Sequence, residues 1–492
     1  MEAFPTTVAL IGIVILIASL MSGILERSGF PIVAVFLAVG ALLGPYGLGL
    51  VDIGFESPEL HALAMLALAL VLFSDAVTID ATEVRTRRPL LWRLLGPGTI
   101  FPAALIALSA RFLLGVSWPA SAILGAALAS TDPVLLRSVL RFRGFPKLPR
   151  IALRIETGMN DVVLLPVVVL SILALGGATA AAPVPGGEVA RAIVGLFILG
   201  PALGALAGWF GIILLERIRS RWGVRRDYES LYAIGIALSA FALAESVGGS
   251  GFLAAFAAGF MVSSQDVELC DCFLEYGEAT AEMLLLLTFV ALGTSLIWTG
   301  FEVIDFPTVV FVMIALVART VVLYPVLTRA HVAGRDRKLI ALFGPRGLSS
   351  LLLTLLPVFA GVAGSERLFS ITCLVVLCSV VLHGSGIAIY LRRNHLEPAV
   401  VKAPRELPLA VSEPARFSPE PEEFEDRITI EEVRQLQASG EDVILLDARA
   451  ERNRRNSDVQ AAGSIRVDPH DPVRDATELR LSQRATLVVY CA

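Results

Sequence analysis

Residues 151–175 read IALRIETGMNDVVLLPVVVLSILAL, an apolar run of spanning length with Glu156, Asn160 and Asp161 set inside it. An ionised carboxylate at bilayer depth costs about 2.5–3.5 kcal/mol on insertion scales, so its presence in such a run marks an ion or proton site. The rest of the chain supplies the membrane. Of 492 residues, 55% are hydrophobic and only 17% charged, and the mean hydropathy is +0.74. Those values exclude an ordinary soluble domain and predict an all-α polytopic membrane protein.

A span needs about 20 apolar residues, and about thirteen stretches qualify. They are 5–25, 31–50, 59–79, 90–114, 118–140, 151–175, 190–215, 229–248, 250–264, 280–298, 307–328, 338–360 and 366–391. The first has Glu2 where a signal peptide is basic, and it reads as a span. Arginines crowd alternate loops: Arg85, Arg87 and Arg88 after the third span, Arg141 and Arg143 after the fifth, Arg219 and Arg221 after the seventh, Arg335 and Arg337 after the eleventh. The positive-inside rule then places the N-terminus outside and the C-terminal region in the cytoplasm. An acidic loop with Asp266, Glu268 and Asp271 runs against this pattern. The five cysteines show no zinc or disulfide framework spacing, and a net charge of −5 gives no sign of nucleic acid. No cofactor is expected.

Three polar pieces interrupt the apolar runs. In Ser130-Thr131-Asp132-Pro133 the proline removes a backbone donor and opens the carbonyl ladder behind it. Freed carbonyls, Thr131 and Asp132 can line a cation path, or Thr131 and Asp132 can simply satisfy local backbone. Glu156 shares a helix face with Asn160, while Asp161 is turned further round. Glu156 needs a buried cation, and Arg319 is the candidate inside a later span, so the two are expected to form a structural ion pair. The third piece, Gly344-Pro345-Arg346-Gly347, breaks the twelfth span. Broken helices in matching positions of two halves are the mark of inverted-repeat transporters. Crossing breaks in spans five and twelve bring helix ends of both polarities together, and Asp132 and Arg346 would neutralise them.

Asp161 is then the exchanging group. Desolvation disfavours the bare carboxylate, so near physiological pH it holds a proton or a monovalent cation but not both. Asn160 adds a carbonyl oxygen without adding charge.

Residues 5–391 resemble the monovalent cation:proton antiporter family, in the branch with an Asn-Asp pair typical of NhaP-like and animal plasma-membrane sodium/proton exchangers. Glu156-Thr157-Gly158-Met159-Asn160-Asp161 is similar to its Glu-Ser-Leu-x-Asn-Asp, Ser130-Thr131-Asp132-Pro133-Val134 to Ala-Thr-Asp-Pro-Val, and Gly344-Pro345-Arg346-Gly347 to Gly-Pro-Arg-Gly; Ser250-Gly251-Phe252-Leu253-Ala254 fits its ninth span. The resemblance implies a homodimer in the lipid of the plasma membrane, with a core domain moving against a dimerisation domain. It also implies Na+, or else Li+ or K+, held by Thr131, Asp161 and nearby backbone, and a motif Glu paired with an Arg of span eleven. Val162 and Thr157-Gly158 depart from the family pattern.

Residues 392–425, rich in Pro and Glu, read as a cytoplasmic linker. In 426–492 a short helix at Ile430–Leu436 and buried strands at Val443–Asp447 and Thr486–Cys491 form an α/β pattern. Asp447-Ala448-Arg449, Gly463-Ser464-Ile465 and Cys491 resemble the rhodanese-like family, which implies a persulfide-carrying thiol at Cys491. The sequence runs one residue past that cysteine, so an incomplete regulatory or docking module is expected. A membrane-anchored sulfurtransferase or redox sensor using Cys491 is the alternative to antiport; thirteen spans exceed what anchoring needs.

Overall fold

The computed structural model describes residues 32–79, 81–132, 145–179, 186–222, 226–265, 278–328 and 332–393, and in the tail 442–448, 463–467 and 485–490, with isolated positions between. The first predicted span, most of the 392–425 linker, the acidic loop, the predicted helix at 430–436, Pro133, Arg449 and Cys491 lie largely or wholly outside these residues. The chain divides into two compact units at Val401 and Lys402.

The first unit is helical: α1 (Ile32–Leu43), α2 (Pro58–Thr78), α3 (Arg88–Leu95), α4 (Pro97–Ser109), α5 (Trp118–Ala129), α6 (Lys147–Thr179), α7 (Gly200–Trp222), α8 (Arg226–Ser246), α9 (Gly251–Gln265), α10 (Glu278–Thr294), α11 (Phe306–Thr328), α12 (Gly334–Leu342), α13 (Leu348–Phe359) and α14 (Ser365–Arg393). Among the described residues six helical stretches are long and apolar enough to cross a bilayer, and five shorter apolar helices accompany them. Prolines in the first turn begin α2, α3, α4 and α5, where their missing N–H has no intrahelical partner to lose. Ser117 also caps α5 by accepting from the Ala120 amide.

The helices sort into two packed groups. One holds α1, α2, α7, α8, α9 and α10; the other holds α3 to α6 and α11 to α14. Small residues set the spacing in the first group. A Cβ on Gly204 would collide with the Ala254 backbone, and one on Gly259 with the Phe73 carbonyl, so α7 and α2 can each lie directly on α9. This contact of backbones replaces the hydrophobic drive that is missing between helices in lipid. The seam between the groups runs where α2 meets α6 and α13.

The second group contains two interrupted helices. Asp132 precedes a proline, and the ring of the next residue disfavours helical backbone there; α5 accordingly ends at Ala129 and the chain leaves it extended. Residues 343–347 separate α12 from α13 in the same way around Pro345.

The described tail residues form a three-stranded sheet of β1 (Val443–Asp447), β2 (Ile465–Arg466) and β3 (Thr486–Tyr490), in the order β2-β1-β3 with both pairings parallel. β3 corrects one expectation from the sequence. Its Leu487 and Val489 are 46% and 58% exposed rather than buried, because the described residues place no layer over that face.

Candidate ion-binding site

The two interruptions cross. The Asp132 amide donates to the Pro345 carbonyl at 3.0 Å, and each strand then lends a charge to the other's helix end. Asp132 Oδ2 accepts from the Leu348 amide at 2.6 Å, at the positive N-terminus of α13. Arg346 Nη1 donates to the carbonyls of Ala129 and Ser130, both at 3.2 Å, at the negative C-terminus of α5. Unpartnered amides and carbonyls at helix ends carry the partial charges that these side chains meet. One expectation changes here. The freed carbonyls of Ala129 and Ser130 do not stand open to a cation; the buried guanidinium takes them as acceptors, which it needs to be tolerated out of water.

The glycines of Gly344-Pro345-Arg346-Gly347 have separate reasons. A Cβ on Gly347 would overlap the Asp132 carboxylate, and one on Gly344 would sit 2.6 Å from Arg319 Cδ. Each leaves room for a charged side chain.

α6 carries the remaining groups to the crossing. Asn160 Nδ2 donates to Thr131 Oγ1 at 2.8 Å, and the Ser130 hydroxyl donates to Asp161 Oδ1. Ser349, in the first turn of α13, lies beside them. Thr131, expected from the family resemblance beside Asp161, is thus engaged with Asn160, and Ser130 takes the neighbouring place. Asn160 Oδ1 is buried and has no partner among the described residues. A buried carbonyl oxygen without a donor is costly, and a cation would supply the partner it lacks.

Glu156 and Arg319 meet in a bidentate pair, with Nε to Oε1 at 2.9 Å and Nη2 to Oε2 at 2.7 Å. Arg319 Nη1 also holds the carbonyls of Ile340 and Ala341 at 2.7 and 2.9 Å, at the C-terminal end of α12. Glu156 and Asn160 share a face of α6 yet bind different partners, one on α11 and one at the crossing.

Asp75 is a site neighbour that reading the sequence passed over. It is 7% exposed on α2, and the place a Gly158 Cβ would take lies 3.5 Å from its Cβ. Gly158 and Asp161 stand three apart and share a face of α6, so Asp75 packs across the seam one turn from Asp161. The rule that singled out Asp161, a carboxylate inside a span, applies equally to Asp75.

Known proteins match most of the helical unit in sequence or in fold. A K(+)/H(+) antiporter NhaP of Alkalimonas amylolytica is 28% identical over 403 residues, covering 81% of this chain and 68% of that protein. A K(+)/H(+) antiporter NhaP2 of Shewanella oneidensis is 27% identical over 80% of this chain and 67% of its own length. A Na(+)/H(+) antiporter 2 of Zygosaccharomyces rouxii is 24% identical over 59% of this chain and 40% of its own length. Among solved structures, the sodium proton antiporter MjNhaP1 from Methanocaldococcus jannaschii superposes with a TM-score of 0.61 at 19% identity, covering 78% of this chain and 100% of that one. The family model described as "Sodium/hydrogen exchanger, transmembrane" matches residues 13–393, and with the crossing already described this places the chain in the sodium/hydrogen exchanger family.

Proposed function

We propose that the chain exchanges a monovalent cation for H+ by alternating access, with Asp161 as the group for which cation and proton compete. The observation that carries the reading is Asp161 itself: a buried carboxylate one residue along α6 from Asn160, whose buried Oδ1 has no partner among the described residues, at the crossing of two interrupted helices and close to the seam between two helix groups. A proton on Asp161 or a cation shared between Asp161 and Asn160 satisfies the same site, so loading one expels the other. Asn160 is oriented by Thr131, and the Glu156–Arg319 pair and the Asp132 and Arg346 helix-end contacts hold the crossing in shape. Thr131 remains a co-ligand in this reading, since its hydroxyl oxygen keeps a second lone pair beyond the one that accepts from Asn160. Asp75 contributes a second carboxylate across the seam.

Na+ and K+ are the two leading cargoes, because relatives named for each ion are similar to this chain; Li+ is a third. The setting proposed is a homodimer in the plasma membrane, with the N-terminus outside and the tail in the cytoplasm. The parallel order of the tail strands, with Asp447 ending β1 and Gly463-Ser464 leading into β2, supports a rhodanese-like regulatory or docking module at 426–492.

The test is cation-driven proton movement in proteoliposomes, with Na+, K+ or Li+ added to wild type and to Asp161→Asn. Loss of the response to every cation in the folded variant is expected. A variant that still couples cation to proton movement would remove Asp161 from the mechanism.

A further inference from the structure

Behind the crossing runs a polar thread that the exchange reaction does not use directly. Ser379, buried on α14, accepts the backbone amide of Arg346 at 2.7 Å. That amide has lost its helical acceptor at the break between α12 and α13, and the serine supplies another. One turn further along α14, His383 Nδ1 stands 3.0 Å from the same hydroxyl. Either atom can be the donor in this contact; with the neutral ring's hydrogen on Nε2, Nδ1 accepts the single hydrogen of the hydroxyl.

The charges turned toward this imidazole are Arg346 at the break and Arg319 on α11. The other elements packed on α14, which are α5, α13 and the turn Leu296–Phe301, contain no ionisable side chain. On its far side the thread reaches the ion site. Arg346 grips the Ala129 and Ser130 carbonyls, and the Ser130 hydroxyl donates to Asp161.

We propose that His383 is a positioning residue of the ion site: by accepting the Ser379 hydrogen it turns a serine lone pair onto the Arg346 amide, and so fixes the crossing and the aim of Ser130 at Asp161. The proposal rests on the reading of Asp161 as the exchanging carboxylate. A histidine that only filled space would be replaceable by leucine with no change in how exchange depends on pH.

The experiment measures exchange against pH in proteoliposomes of the full chain, at saturating Na+ or K+, for Ser379→Ala, His383→Leu and the double variant. Each single change is expected to move the pH of half-maximal exchange by about half a unit, the scale of one hydrogen bond. Both move it in the same direction, and the double variant moves it no further, because the two groups act in series. His383→Gln, which keeps an acceptor oxygen, returns the midpoint toward wild type. If His383→Leu does not reconstitute, His383→Phe keeps the ring volume without the acceptor and takes its place. An unmoved midpoint in the folded single variants, or a double variant that shifts by the sum, overturns the proposal. Retained coupling in Asp161→Asn removes the site and the thread together; an inactive Asp161→Asn beside unmoved His383 and Ser379 midpoints removes the thread alone.

Discussion

Asp161 and Glu156 lie on the same helix within two turns of each other, and opposite chemistry surrounds them. Asp161 receives a hydroxyl, from Ser130, which can give way to an ion. Glu156 receives both arms of a guanidinium at 2.7 and 2.9 Å, which cannot. Removing one member of a buried pair strands the other at a cost of about 3–5 kcal/mol. Arg319→Ala is expected to lie at the upper end and Glu156→Gln at the lower, since Arg319 also holds the Ile340 and Ala341 carbonyls. Thermal unfolding of both variants in detergent measures this; equal Tm losses would mean that the α12 carbonyls gain nothing from the arginine. Glu156 and Arg319 were legible as partners in the sequence because each is an isolated charge in an apolar run, and two such charges of opposite sign have few other ways to be tolerated. Ser130 was not legible as the Asp161 donor. Serine is common in membrane helices, and only the turn of the broken strand decides whether Ser130 or Thr131 faces the carboxylate.

At the scale of elements, the governing fact is that helix ends are charged and that this chain buries several of them together. Asp132 at the start of α13, Arg346 at the end of α5 and Arg319 at the end of α12 each meet an end of opposite sign. Gly347→Ala puts a methyl group where the Asp132 carboxylate lies. Loss of that charge-assisted hydrogen bond to Leu348 is worth about 1.5–3 kcal/mol, and both Tm and exchange rate should fall; a folded variant with wild-type values for both would dissociate the glycine from the cap. A cap outside the spans gives a pH-dependent counterpart. Asp305 accepts from the Thr308 amide at 2.7 Å at the start of α11, and the Thr308 hydroxyl and amide hold its carboxyl below the usual carboxylate range. A carboxyl held low in the folded state stabilises above its unfolded-state pKa, and the gain is lost as pH falls through the folded-state value. Asp305→Ala should therefore lower Tm at pH 7, with the gap to wild type closing in acid; a gap that stays constant down to acid pH would assign the effect to something other than the charge. The prolines made both interruptions readable from sequence. Element ends such as Leu43 were not, because the apolar pattern continues into the turn that follows α1.

At the scale of the molecule, the two helix groups differ in how tightly they can hold each other. Within the first group, glycines bring backbones into contact, as where Gly259 lies under Phe73. Across the seam, a Cβ added to Gly158 would meet Asp75 only at ordinary van der Waals separation, so the backbones there do not touch. The sequence carried the two interruptions, but the seam was hidden in it, since α2 and α6 are equally apolar and only packing reveals which faces stay separable. One contact spans the seam at the ends of α2 and α13: the His61 and Phe359 rings stack at 4.3 Å with their planes 3° apart. In the orientation proposed above, both residues lie on the outer side, where a boundary moving between α2 and α13 has to separate them. Alternating access then requires the rings to part once in every cycle. With the native cysteines replaced, His61→Cys and Phe359→Cys joined by a short bifunctional thiol reagent should stop cation-driven proton movement in proteoliposomes. Each single variant should retain it after the same treatment, and cleavage of a reducible linker should restore it. Undiminished exchange with the link in place would mean that α2 and α13 travel together, and the moving boundary would then have to lie on another face of α6.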